Sequence, residues 1–117
     1  MLSSSDQAPK ANIIALVPAR GGSKGIANKN LTDLAGKPLI SYVIDAGVSA
    51  KHVDRVVCTT DSDAIAAVAE QCGAVAPFRR PAELATDESA VYEALVHAVK
   101  IYEGQTKFHP DYIVTLQ

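Results

Sequence analysis

Between Pro18 and Leu31 the chain collects side chains suited to handling phosphate: Arg20, Ser23, Lys24, Lys29 and Asn30, interleaved with Gly21, Gly22 and Gly25. No acid occurs between Asp6 and Asp33, so this stretch is locally cationic although the formal net charge of the 117-residue chain is −2. Glycines carry no Cβ, which lets the backbone come close to an anion. Free backbone N–H groups together with two or three cations suit a di- or triphosphate. Within that loop Lys24 supplies a cation and Ser23 adds a hydroxyl donor. Asn30 offers a donor and acceptors that fit the edge of a base, or else a residue of a left-handed turn.

Two well-known phosphate loops are excluded by spacing. A P-loop ends in Gly-Lys-Ser/Thr, whereas here Lys24 precedes Gly25 and Ile26 follows it. The dinucleotide fingerprint opens a helix directly after its glycines, but Asn28, Lys29 and Asn30 prolong the loop. Elsewhere, Asp61-Ser62-Asp63 admits a metal-binding reading, although helix capping by Asp61 or Ser62 and a favourable first-turn charge at Asp63 explain it more simply. His52, His97 and His109 lack ligand spacing, and no Ser-His-Asp or Cys-His grouping can be assembled. Cys58 and Cys72, on a strand pattern and a helix pattern, read as buried reduced thiols.

The elements that must position the loop follow from periodicity. The apolar run from Ile13 to Val17 is a strand buried on both faces. Pro38 suits the first turn of a helix in which Leu39, Ile40, Val43, Ile44 and Gly47 recur at helical spacing to about Ala50. Arg55 to Thr60 is the second strand; a helix with Ile65, Val68, Ala69 and Cys72 on one side then stops at Gly73. Ala74 to Phe78 is expected as a short third strand, and Arg79 to Asp87 as a loop. A third helix capped by Thr86 or Asp87 carries Val91, Leu95, Ala98 and Tyr102, and Tyr112 to Leu116 is the fourth strand. Alternation of this kind predicts βαβ units and a parallel sheet, with polar groups meeting at the carboxyl ends of the strands. Those ends are Arg20 onward, Thr60-Asp61, Arg79-Arg80 and Gln117.

The residues from Ala19 to Asn30 resemble the signature Ala-Arg-x-Gly-Ser-Lys-Gly-Ile-Pro-x-Lys-Asn of the CMP-sialic acid synthetase (acylneuraminate cytidylyltransferase) family, with Ala27 in place of the usual Pro. The likeness continues through Arg80-Pro81-Ala82-Glu83-Leu84-Ala85-Thr86-Asp87 to Thr115-Leu116-Gln117. It implies an α/β, three-layer αβα Rossmann-like nucleotide-diphospho-sugar transferase fold with a mostly parallel sheet. It implies transfer of CMP from CTP to the anomeric hydroxyl of a sialic acid, or of a related pseudaminic, legionaminic or 3-deoxy-octulosonic acid, with release of pyrophosphate. By the same resemblance, Ala19, Arg20, Gly21, Gly22, Ser23, Lys24, Asn30, Arg80 and Ser89 bind the nucleotide, Arg20 and Lys24 act in catalysis, and Gln117 meets the sugar acid. In that family the chain continues after the matching Gln through a Thr-Ser-Pro turn, further strands, a dimerisation insertion and a late pair of aspartates. The Mg²⁺ ligands are therefore expected outside this chain, which reads as the N-terminal portion, cut short after the fourth strand. On its own it is expected to be inactive. A binding module without turnover is the alternative, and a homodimer is expected at full length.

Composition is consistent with this. A content of 48% apolar residues with few aromatics fits one small α/β core at residues 13–117, after a polar, disordered tail at residues 1–12. With no basic stripe outside the loop there is no case for nucleic acid, and no stretch approaches membrane-span length. No secretion signal is evident, so a cytoplasmic setting is expected, or a nuclear one in a eukaryote.

Overall fold

The computed structural model describes residues 11–21, 29–84 and 91–116. Its centre is β1 (Ile13–Pro18), followed by a two-stranded hairpin of β2 (Asp33–Leu34) and β3 (Lys37–Pro38), then α1 (Leu39–Ser49). Next come β4 (Arg55–Thr59), α2 (Asp63–Gln71), α3 (Val91–Thr106) and β5 (Tyr112–Thr115). Single 3₁₀ turns lie at Lys29–Leu31 and Ala82–Leu84. The main sheet runs β4-β1-β5 and both pairings are parallel, Leu16 standing opposite Val57 on one side and Thr115 on the other.

Alternation along β1 builds the three layers. Ala15 and Val17 pack with Ile40 and Ile44 of α1 and Ile65, Ala66 and Ala69 of α2. Ile14 and Leu16 point the other way, into a cluster with Val57, Ala98 and Tyr102, the last two from α3. A strand covered on both faces must be apolar at every position, which is why β1 reads as a continuous apolar run. Complete burial of Ile14, Leu16, Ile40, Ile44 and Ile65 contributes about 1.5–3 kcal/mol for each side chain.

Some local expectations need correcting. The third strand at Ala74 to Phe78 shrinks to one parallel bridge, Val57 to Val75, with Val75 N–H on Val56 O at 2.9 Å and Cys58 N–H on Val75 O at 2.8 Å. Pro77 has no N–H to continue a ladder, so the pairing ends there. The hairpin of β2 and β3 carries no Asn-Gly or Asp-Gly signal. Its turn residues Ala35 (φ 53°) and Gly36 (φ 90°) both take positive φ, the pattern of a two-residue type I′ turn. Pro38 is the N-cap of α1 rather than part of its first turn. Asn12, assigned to the tail, belongs to the fold: its N–H reaches Asp111 Oδ2 at 2.7 Å and its side-chain amide His109 O at 3.2 Å. Cys58 is buried, but Cys72 is only half-buried; both are free thiols. The expected caps Thr86 and Asp87 lie outside the described residues. No helix among the described residues is long and apolar enough to cross a membrane.

Candidate nucleotide-binding site

At the carboxyl ends of β1 and β4, Pro18 stands opposite Thr59 and both chains leave the sheet together. Ala19 N–H donates to Thr59 O at 3.0 Å, extending the ladder one step past β1. Two residues on, Gly21 N–H donates to Asp61 Oδ1 at 2.9 Å. The carbonyl between them, that of Arg20, accepts from Asn30 Nδ2 at 3.4 Å. The turn that starts the glycine loop is thereby held by the end of β4 and by the 3₁₀ turn at Lys29–Leu31.

The segment after β4 is shaped by a second set of bonds. Thr60 Oγ1 accepts the N–H of Ser62 at 3.1 Å, and Ser62 Oγ accepts that of Ile65 at 3.2 Å. Ser62 is the N-cap of α2, which supplies one of the orphan amides of the first turn with an acceptor. Asp61 is thus released from capping, the role expected of either residue, and its carboxylate is directed at the glycine turn instead. Asp63 pairs with Arg79 at 2.7 Å on the surface.

Arg80 is held inside this edge, 6% exposed. Its N–H donates to Thr60 O at 2.8 Å, Nη2 to Thr59 O at 2.9 Å, Nε to Thr59 Oγ1 at 3.4 Å and Nη1 to Leu84 O at 3.2 Å. Burial lowers its pKa; Asp61 acts against that shift, and the charge of Arg20 adds to it. Arg20, Asp61 and Arg80 therefore share one electrostatic neighbourhood. Burial also pushes the thiol of Cys58, one residue before Thr59, up to about 12.

Of the residues expected in the site, the fold brings Ala19, Arg20, Gly21, Asn30 and Arg80 to one end of the sheet. Gly22, Ser23, Lys24, Ser89 and Gln117 lie outside the described residues. Two of the expected roles are qualified by geometry: the Asn30 amide faces the Arg20 carbonyl, and the Arg80 guanidinium grips the end of β4. Thr59 and the loop-holding role of Asp61 were not anticipated. Their only signal in the sequence is a Thr-Thr-Asp run at a strand's carboxyl end, where side chains two positions apart reach a neighbouring loop.

The architecture matches that of solved enzymes. CMP:2-keto-3-deoxy-manno-octonic acid synthetase complexed with CTP superposes with a TM-score of 0.71 at 23% identity, over 90% of this chain and 40% of that one. A cytidylyltransferase from Leptospira borgpetersenii gives 0.63 at 17% identity, over 90% and 41%. At that identity the match shows the shared Rossmann-like fold. In sequence, the chain is 43% identical over 99 residues to the N-acylneuraminate cytidylyltransferase of Escherichia coli, covering 85% of this chain and 23% of that protein. It is 40% identical to the CMP-N,N'-diacetyllegionaminic acid synthase of Legionella pneumophila, over 90% of this chain and 45% of the relative. Against the pseudaminic acid cytidylyltransferase of Campylobacter jejuni the figures are 38%, 82% and 41%. The chain thus spans less than half the length of these curated relatives. A family model described as cytidylyltransferase matches residues 14–117, and the chain belongs to the cytidylyltransferase family.

Proposed function

We propose that this chain supplies the CTP-binding part of an enzyme that activates a sialic acid, giving a CMP-sugar and pyrophosphate. The observation that carries the reading is the convergence of Arg20, Arg80 and the held turn at Gly21 at the carboxyl end of the central strand. Ligands of open α/β sheets bind at that end. In the reaction, the anomeric hydroxyl of the sugar acid attacks the α-phosphorus of CTP as the bond to the pyrophosphate leaving group breaks. The contribution of the chain is to bind and orient the triphosphate: Arg20 and Lys24 offset its charge, Gly22 and Ser23 offer donors along the loop, and Ala19 and Gly21, whose N–H groups go to Thr59 O and Asp61, hold its first turn. Asn30 and Arg80 frame the space for the nucleoside, with Ser89 completing it and Gln117 facing the sugar acid. The similarity to enzymes for N-acylneuraminic, pseudaminic and legionaminic acids supports a nine-carbon acidic sugar, of which sialic acid is our choice.

The resemblance also implies Mg²⁺. Among the described residues no group of three or more His, Cys, Asp or Glu side chains is placed to hold a metal ion. Asp61 is bonded to Gly21 and Asp63 to Arg79. The described donors do not fit the ion, and in this proposal its ligands and the dimer contacts are not supplied by the described residues. The alternative reading is a nucleotide-binding module without turnover.

Titrating CTP, UTP, ATP and GTP into the chain by calorimetry tests the binding role, with CTP expected to bind best because base-edge groups are left unpaired by the wrong base. Equal affinity for all four overturns the base-reading assignment. Pyrophosphate release with each sugar acid, from this chain and from a version of relative-like length, separates the enzyme from the module. Release that depends on the sugar acid and occurs in the longer protein supports the enzyme. CTP binding with no release from either protein supports the module.

A further inference from the structure

Asp61 lies in no cap, its described bond goes to a loop rather than to its own helix, and its charge is felt by the buried guanidinium of Arg80. Ser62 takes the N-cap of α2 through the N–H of Ile65. The carboxylate of Asp61 instead receives Gly21 N–H at 2.9 Å, across a sequence gap of forty residues. Gly21 is the residue directly after Arg20, and Ala19, directly before it, is bonded to Thr59 O. The backbone of Arg20 is thus fastened on both sides by the single segment from Thr59 to Asp61, and its own carbonyl is fastened by Asn30. With φ and ψ fixed on both flanks, the direction in which Cα–Cβ of Arg20 leaves the turn is fixed as well.

We infer that Asp61 is a positioning residue of the nucleotide site: by accepting Gly21 N–H it sets the geometry from which Arg20 reaches the triphosphate. The inference rests on the nucleotide reading given above and deepens it. Asp61 does not touch the nucleotide in this account; it acts through the turn. Its charge is of secondary importance, because a neutral acceptor in the same place holds the same amide. A negative charge near a triphosphate is in fact unfavourable by itself, and the guanidinium of Arg80 beside it moderates that cost. The acceptor role and the charge can therefore be separated by substitution.

The test is calorimetric titration of CTP into the full chain and its variants. Asp61→Ala is expected to weaken CTP binding about tenfold, the scale of one charge-assisted hydrogen bond. Asp61→Asn, whose Oδ1 still accepts, is expected to bind no more weakly than the parent. In an Arg20→Ala background, Asp61→Ala is expected to change affinity by less than about twofold, since the group it positions is gone. A purely structural role would instead carry its full loss into that background. Parental affinity in Asp61→Ala, failure of Asn to substitute, or an undiminished loss beside Arg20→Ala each overturn the proposal while CTP binding by the parent stands. If the parent itself does not bind CTP, the nucleotide reading falls and the proposal falls with it, an outcome distinct from the other three.

Discussion

The two ends of β1 are fastened by the same device, and the comparison shows what separates a structural bond from one in a site. At the amino end, Ile13 N–H donates to Asp54 Oδ2 at 2.8 Å while Asp54 N–H returns to Ile13 O at 2.8 Å. Asn12 and Asp111 exchange the same pair of bonds, both at 2.7 Å. The nearby cation Arg55 lies over the Phe108 ring, 4.8 Å from its centroid. Every one of these groups answers another within the fold. At the carboxyl end a carboxylate again accepts a backbone amide, but the bond runs one way, from Gly21 to Asp61, and it stands beside Arg20 and Arg80. A reciprocal pair closes a ladder. A one-way bond beside the backbone of Arg20 holds a turn in place.

The largest way to break this contrast is chemical. Lys24→Ala, in a protein of relative-like length, is expected to lower sugar-acid-dependent pyrophosphate release by roughly a hundredfold or more. Its melting temperature should stay near the parental one. Release at the parental rate under saturating CTP would remove Lys24 from the chemistry.

Arg80→Ala strikes both fold and site. It removes the buried guanidinium donors of Thr59 O, Thr59 Oγ1 and Leu84 O; Thr59 O keeps the N–H of Ala19, so the expected loss is about 1–3 kcal/mol. Urea unfolding should show that loss, and calorimetry a weaker CTP complex. Arg80→Lys should recover little of either, because one ammonium cannot replace a planar fork bonded at three places. Full recovery by Lys would mean that charge alone matters there.

Asp54→Ala sharpens the comparison from the other end. It removes the acceptor of Ile13 N–H and should cost about 1–2 kcal/mol in urea unfolding. CTP affinity should remain within about twofold of the parent. A large loss of affinity from Asp54→Ala would erase the distinction drawn between the two ends.

Much of this was legible beforehand because one physical signal was strong. The apolar run at Ile13 to Val17 could only be a strand covered on both faces, and helical spacing at Leu39 to Gly47 and at Ile65 to Ala69 supplied the covering layer. That places Arg20 and Thr60 at one edge without any further information. What could not be read is local. The turn at Ala35-Gly36 uses an alanine at positive φ, which composition does not advertise. The pairing after Gly73 fails at Pro77, although Ala74 to Phe78 has a strand's composition. The choice between Asp61 and Ser62 as cap depended on which side chain had a competing partner, and that partner, Gly21, is forty residues away. Local patterns name the elements; the partner across the sheet decides what an end residue does.

The smallest expected effect probes how closed this edge is. Cys58, buried and with its thiol pushed up to about 12, stays protonated at pH 8, so it should react with a maleimide far more slowly than the half-buried Cys72. Equal labelling rates, read by intact mass over time, would mean that the end of β4 opens readily.

The most direct measurement of the central claim is amide chemical-shift mapping of the isotopically labelled chain during titration with CTP. The account predicts shifts concentrated at Ala19, Arg20, Gly21, Asn30, Thr60, Asp61 and Arg80, with Asn12, Ile13, Asp54 and Asp111 unmoved. Shifts centred on those four amino-end residues, or on the exposed face around Tyr92 and Ile113, would contradict it.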